Sequence, residues 1–317
     1  MFNLGLESIQ ANQYTNISYV EIKKDFNILE SHMQALRSLF TIRNSIKKYG
    51  ITNQLRDLVG KSLESAEIRF SSEGIWEAIK DVGRRILKFL KEVWAKIVGF
   101  FQGKKKSKTP PIDPKYSNAF KDPAFANEVT TYPIHPVDDL KKVLSYHTGS
   151  DQQMASKSQE MTVIIAKNIH NGDSADIEMM QHLVEFFKSI EDDILKYITP
   201  GSIEMSNIEA HEFYEHLRYQ RDTARVLVQM NKISSIIQKL ERDIKSLTSN
   251  SNTDENPETI QDRLRYSELL LKLLNQWYTT MDLTDLIIHD SGKALIDAIY
   301  DKADEYHKSR TNTETTN

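Results

Sequence analysis

His211-Glu212-Phe213-Tyr214-Glu215-His216 places two imidazoles and two carboxylates within six residues, the kind of set that can hold a divalent cation. On a helix, residues four apart share a face, so His211 pairs with Glu215 and Glu212 with His216. A zinc-protease helix needs both histidines on one face, as in HExxH, and here Glu215 stands where the second histidine would be. The run therefore reads as helix-face pairs, with Phe213, Tyr214 and Leu217 turned inward. His135, His147, His170, His182, His289 and His307 are scattered and have no partnered nucleophile. No GxGxxG, GxxxxGK[ST] or GxSxG occurs, and cysteine is absent, which excludes disulfides and thiolate chemistry. The expectation is a protein without catalytic residues, metal or cofactor.

The elements that would position these residues are helices. The 317-residue chain has 39% apolar and 27% charged residues, with only 11 glycines and 8 prolines, a composition suited to elongated helical assemblies. Six of the prolines (Pro110, Pro111, Pro114, Pro123, Pro133 and Pro136) fall in one stretch, which excludes any long helix there and marks a joint over 109–139. Its spaced aromatics, Tyr116, Phe120, Phe125 and Tyr132, read as a strap lying on a surface.

Before the joint, apolar spacing predicts a helix over 19–48, a stop at Gly50 and a short second helix through Leu55, Leu58 and Leu63. After it, helices are expected to end at Gly149, at Asn171-Gly172 and before Pro200. Residues 202–247 then run without glycine or proline, enough for roughly 65 Å of helix. A helix over 260–289 returns alongside, and a last one covers 292–307. No strand-like run competes. The fold expected is all-α, divided into an N-terminal helical region 1–73, a basic amphipathic helix 74–108, the joint 109–139, an antiparallel helical bundle 140–308 and a disordered tail 309–317.

The basic helix carries most of the charge asymmetry. Residues 74–108 hold ten basic and three acidic side chains, a net +7 within a chain whose formal charge is −4. On a wheel, Ile75, Ile79, Val82, Ile86, Leu90, Val93, Ile97 and Phe100 form one line, broadened by Trp76, Leu87, Trp94 and Phe101. Arg84, Arg85, Lys88, Lys91 and Lys96 lie opposite, followed by Lys104, Lys105 and Lys106. Three partners would satisfy such a helix: the protein's own first helix, a lipid interface holding the Trp/Phe face with lysines at the headgroups, or nucleic acid, its phosphates neutralised without base reading. The N-terminus lacks the pattern of a secretory signal, and no window of about 18 residues is apolar enough to span a bilayer, so the chain is expected to be made as a soluble protein.

A start containing "LES" (MFNLGLESIQ), the segment IWEAIKDVGRRILKFLKEVWAKIVGFFQ, a charged break and an all-helical remainder resemble the internal head or virion structural proteins of large tailed bacteriophages, the phiKZ-like jumbo phages among them. The resemblance is one of layout and covers roughly the first 105 residues. It implies a non-enzymatic structural protein, made in the host cytoplasm and housed in the phage head. Its partners would be capsid or other internal head proteins, with nonspecific DNA or membrane contact through the basic helix.

In such phages a head-maturation protease cuts after Glu in small-x-Glu triplets, and three such triplets end here at Glu64, Glu67 and Glu73, just ahead of the basic helix. Cutting there would release a propeptide of about seventy residues. The same triplet recurs at Ser158-Gln159-Glu160, Ser189-Ile190-Glu191 and Ser202-Ile203-Glu204, inside expected helices. The alternative function is a membrane-active or membrane-peripheral protein acting through residues 74–101. A helical interaction scaffold is a third.

Overall fold

The computed structural model describes residues 13–53, 72–106, 110–166, 174–199, 201–223, 226–249 and 256–314. The fold is all-α. Its helices are α1 (Gln13–Tyr49), α2 (Ser72–Lys106), the one-turn α3 (Pro114–Ser117) and α4 (Pro123–Ala126), α5 (Val137–Thr148), α6 (Gln152–Ala166), α7 (Ser174–Ile194), α8 (Asn207–Thr223), α9 (Val226–Leu247) and α10 (Pro257–Glu314). Among the described residues, β1 (Val129–Tyr132) and β2 (Ile203–Ser206) form one antiparallel pair.

Two compact units arise, each drawn from three stretches of chain rather than following the expected linear division. One comprises Met1–Phe100, Gln159–Phe187 and Leu227–Tyr278, the other Phe101–Ser158, Lys188–Val226 and Thr279–Asn317. Helices α2, α6, α7 and α10 supply residues to both, as does α9 by its first residue, Val226. At 58 residues α10 gives Pro257–Tyr278 to the first unit and Thr279–Glu314 to the second.

In the first unit the packing partners follow from ring contacts and ion pairs. Along α1 and α2, Asp25 meets Lys96, His32 meets Phe89 at 5.5 Å, and Phe40 meets Trp76 at 6.2 Å, so the two helices run antiparallel. Along α1 and α10, Phe26 meets Tyr278, Glu30 meets Asn275, Arg37 meets Glu268 and Thr41 meets Gln261, again antiparallel. Helix α9 pairs with α10 through Ser246 to Arg263 and Lys239 to Tyr266. The expected stop at Gly50 is a positive φ of 73°, which glycine adopts without steric penalty. The expected short helix through Leu55, Leu58 and Leu63 lies outside the described residues.

The second unit holds the strap, residues 110–136, against α8 and the C-terminal part of α10. Proline here starts helices as well as ending them. Asp113 and Asp122 each accept a backbone N–H two residues on, with proline at the first helical position, and this gives α3 and α4. Tyr116 stacks on Tyr300 at 4.2 Å, Tyr300 Oη accepts the Asp113 N–H at 2.8 Å, and Tyr214 donates to the Pro110 carbonyl.

Four expectations are corrected. The unbroken helix over 202–247 begins instead as β2, because Asn207 is drawn into the core and the Ser206 N–H bonds to Glu209, which sets the start of α8 there. Ser202-Ile203-Glu204 therefore leads into a strand, not a helix. Gly292 does not divide the last helix: Ile288 and Leu295 are buried on either side of it, and that packing outweighs a glycine penalty of about 1 kcal/mol. The tail is helical as far as Glu314, fastened by Tyr306 and Arg310 to Asp122.

Candidate functional site

The structure offers two surfaces for function, one in each unit. The first is α2. Ile75, Ile79, Ile86, Leu90, Val93 and Ile97 are each at most 1% exposed, and each such burial contributes about 1.5–3 kcal/mol. Val82, placed on this line by the wheel, is only half-buried, and the contact is made by Gly83 instead. A Cβ on Gly83 would sit 2.5 Å from Thr248 Cγ2, so the α2 backbone lies directly against the end of α9. Trp76, Leu87 and Trp94 flank the line half-buried. Trp76 also carries the buried Arg43 guanidinium, 4.5 Å above its ring, a cation–π contact that the spacing of α1 does not disclose.

The opposite face is charged and internally paired. Arg84 and Arg85 share Asp81 at 3.5 and 2.8 Å, Lys88 meets Glu92 at 3.8 Å, and Lys96 reaches Asp25 on α1. Lys91 is exposed. These pairs are mostly solvent-facing and worth little each. They do, however, make the face a mixed row rather than a purely cationic one. Burial, and secondarily the Arg85 charge, hold the His32 imidazole below its ordinary pKa. Phe100, Phe101, Lys104, Lys105 and Lys106 continue the helix, and their side chains lie outside the described set. Glu64 and Glu67 also fall outside the described residues. Glu73 is exposed in the first turn of α2, so it stands within the helix rather than ahead of it.

The second surface is an open cleft of about 430 Å³ in the second unit, lined by Val137 and Lys141 of α5, Ile203, Glu204 and Met205 of β2, and Glu209, Glu212, Phe213 and His216 of α8. The expected facing of Glu212 and His216 brings both to this cleft. Glu215 turns not to His211 but to Arg218, at 2.6 Å, and His211 packs on Phe120 with ring centroids 4.6 Å apart. The four groups of the His211–His216 run are thus divided among a cleft, an ion pair and a tilted ring contact. Phe213, Tyr214 and Leu217 are buried. Among the described residues no three His, Asp or Glu side chains converge as a metal set. The Glu209 carboxylate accepts from Ser206 N at 2.9 Å and Ser206 Oγ at 2.8 Å, and these bonds lower its pKa.

Two buried polar clusters have no counterpart in the expectations. In the second unit Asp285 of α10 receives Arg221 Nε of α8 at 3.2 Å and lies 3.7 Å from His147 Nε2 of α5, while Thr284 Oγ1 is 3.4 Å from His147 Nδ1. A hydroxyl, imidazole and carboxylate in that order suggest a nucleophile relay. But Thr284 is fully buried and its hydroxyl donates to Met281 O at 2.9 Å, so the group ties helices together. In the first unit Lys239, only 4% exposed, donates to the Ile164 and Ile165 carbonyls and to Tyr266 Oη at 3.0–3.2 Å. It thereby satisfies the C-terminal carbonyls of α6 with a cation, the charge that a helix C-terminus favours. Burial lowers its pKa to about 8.

Comparison with protein-family models, with curated proteins and with solved structures returns no match to this chain. Among the described residues no helix is long and apolar enough to cross a membrane.

Proposed function

We propose that the chain is a non-enzymatic structural protein of a phage particle, housed in the head and working by binding rather than by chemistry. The observation that carries this reading is the two-sidedness of α2. Its aliphatic line lies within the first unit, while Arg84, Arg85, Lys88 and Lys91 face outward. A helix fixed on one side and charged on the other can meet capsid protein or packaged DNA through screened ionic contacts, which need no sequence reading. The titratable groups of the second unit support the same reading, since Glu209, Glu215, Arg221 and Asp285 serve helix starts and ion pairs. Partners in this reading are other virion proteins and a head-maturation protease acting at Glu64, Glu67 or Glu73.

Lipid insertion is the weaker alternative. It would have to uncover Ile75, Ile79 and Leu90, or else rely on the half-buried flank of Val82, Leu87 and Trp94. The test is intact mass and N-terminal sequence of the protein recovered from purified native particles. Recovery with Ile68 or Gly74 as first residue is expected, and absence from the particles overturns the reading. Liposome flotation distinguishes the alternative: clean loss of lipid binding in a folded Trp94→Glu variant would favour the membrane role.

A further inference from the structure

Among the described residues, strand β2 pairs with another strand on one side only. Asn207 N–H donates to Glu128 O at 3.1 Å, and the register pairs Thr130 with Met205 and Tyr132 with Ile203. In an antiparallel ladder the facing residues alternate, so Ile203, Met205 and Asn207 point their main-chain groups at β1, and Glu204 and Ser206 point theirs away. The outward N–H of Ser206 is taken by Glu209, which agrees with this assignment. The outward N–H and C=O of Glu204 have no hydrogen-bond partner among the described residues.

The cleft reaches Glu204: it is lined by Ile203, Glu204 and Met205 of the strand together with residues of α5 and α8. Its polar lining, Glu204, Glu209 and Glu212 beside Lys141 and His216, is mainly acidic. Glu204 and Glu212 are both exposed, and the one lysine of the lining, Lys141, stands 3.8 Å from Asp138.

From this edge, cleft and charge we infer that β2 is a strand-addition site, which takes up an extended lysine- or arginine-bearing segment of a partner protein as a third strand. Main-chain bonds would form at Glu204, an apolar side chain would enter beside Met205 and Phe213, and a flanking cation would sit between Glu204 and Glu212. Strand addition draws affinity from main-chain bonds and specificity from alternate side chains. With one open residue pair of bonds the complex is weak and salt-sensitive. The inference uses neither α2 nor the phage setting, and stands or falls apart from them.

The test uses the full chain and a fluorescein-labelled peptide, Gly-Lys-Val-Arg-Val-Lys-Gly, followed by anisotropy at low salt. Saturable binding is expected, weakened about tenfold or more by Glu212→Lys and by Glu204→Pro. The proline removes both the outward N–H and the Glu204 carboxylate, and an edge strand tolerates the backbone change; the N-methylated peptide isolates the main-chain part. Glu21→Lys makes the same change of charge on exposed α1 surface and is expected to leave binding unaltered. A peptide N-methylated at the central arginine leaves the protein untouched and is expected to bind at least several-fold more weakly. Absence of saturable binding, equal binding of the peptide with glutamate in place of its three cations, equal loss in Glu21→Lys, or indifference to N-methylation would each overturn the inference. Glu204→Pro is read only where its circular dichroism matches the parent, and the N-methyl arm decides where it does not.

Discussion

Helix α2 and the strap over residues 110–136 each lie on a larger helical surface, and they are fastened by different physics. Along α2 six aliphatic side chains recur at helical spacing and vanish from solvent, so attachment is continuous and rests mainly on apolar burial. The strap is fixed at separate points, each a specific hydrogen bond or ring contact: Asp113 to Tyr300, Tyr116 to Tyr300, Asp122 to Tyr306 and Arg310, Tyr132 to Asn207. Stripes tolerate small shifts along the groove, whereas pins do not. A continuous stripe should therefore fail by charge insertion and a pinned strap by loss of one polar atom.

The largest effect is expected from Ile79→Asp. An unpaired carboxylate at a fully buried position costs more than about 4 kcal/mol, enough to melt the first unit in a urea titration, while Trp94→Glu at the half-buried flank loses much less. The pinned region is tested by Asn207→Ala. Asn207 accepts from Tyr132 Oη at 2.5 Å and donates to Phe125 O at 2.8 Å, both in the core. Removing it strands the buried Tyr132 hydroxyl, while the Phe125 carbonyl keeps the Glu128 N–H at 3.2 Å, a loss of about 1–3 kcal/mol. A loss under about 1 kcal/mol would show that the strap is held by its apolar contacts and would erase the contrast.

Lys239 sharpens the comparison, since it is a polar pin inside the stripe-built unit. Its native pKa of about 8 lies below the roughly 10.4 of an unfolded lysine. The unfolded chain therefore binds more protons across that window, and stability rises with pH between about 8 and 10. The gain is on the order of 1–2 kcal/mol between pH 7.5 and 9.5, read as a higher urea midpoint, and Lys239→Met abolishes it. Above pH 10 the Tyr266 hydroxyl, pushed up by burial, reverses the trend. The smallest effect is expected at Gly83. Gly83→Ala brings a Cβ against Thr248 and costs about 1 kcal/mol net of its helix-propensity gain. Adding Thr248→Ser, which removes the closest atom, recovers most of the loss in thermal melting.

The same contrast explains what could be read from the sequence. The α2 line and most of α1 are periodic, so spacing alone finds them, and the errors are local: Val82 is displaced by Gly83 because the wheel does not register how closely two backbones approach. Gly50 and Gly149 stop helices as composition suggests, while Gly292 does not, because the residues on either side are held by tertiary packing. The β1–β2 pair escaped because each strand has four residues, and Val129 at the start of β1 is 65% exposed, leaving no alternation to detect. Its best sequence signal is the Ser206-x-x-Glu209 capping box, which marks where a helix begins and hence where the preceding residues are something else. At the cleft, the pairing of Glu212 with His216 is a property of helix geometry, but the turn of Glu215 toward Arg218 depends on a competing cation three residues on. The strap's pins join residues as far apart as 188 positions, and no local window contains both ends.

That separation sets a schedule for synthesis. Asp113 leaves the ribosome 187 residues before Tyr300, an interval of roughly 10–40 s at ordinary elongation rates. Throughout it, Tyr116, Phe125 and Tyr132 have no α10 to settle against. The nascent second unit thus passes through a period in which its aromatic side chains are uncovered, and a holding chaperone would be most useful there.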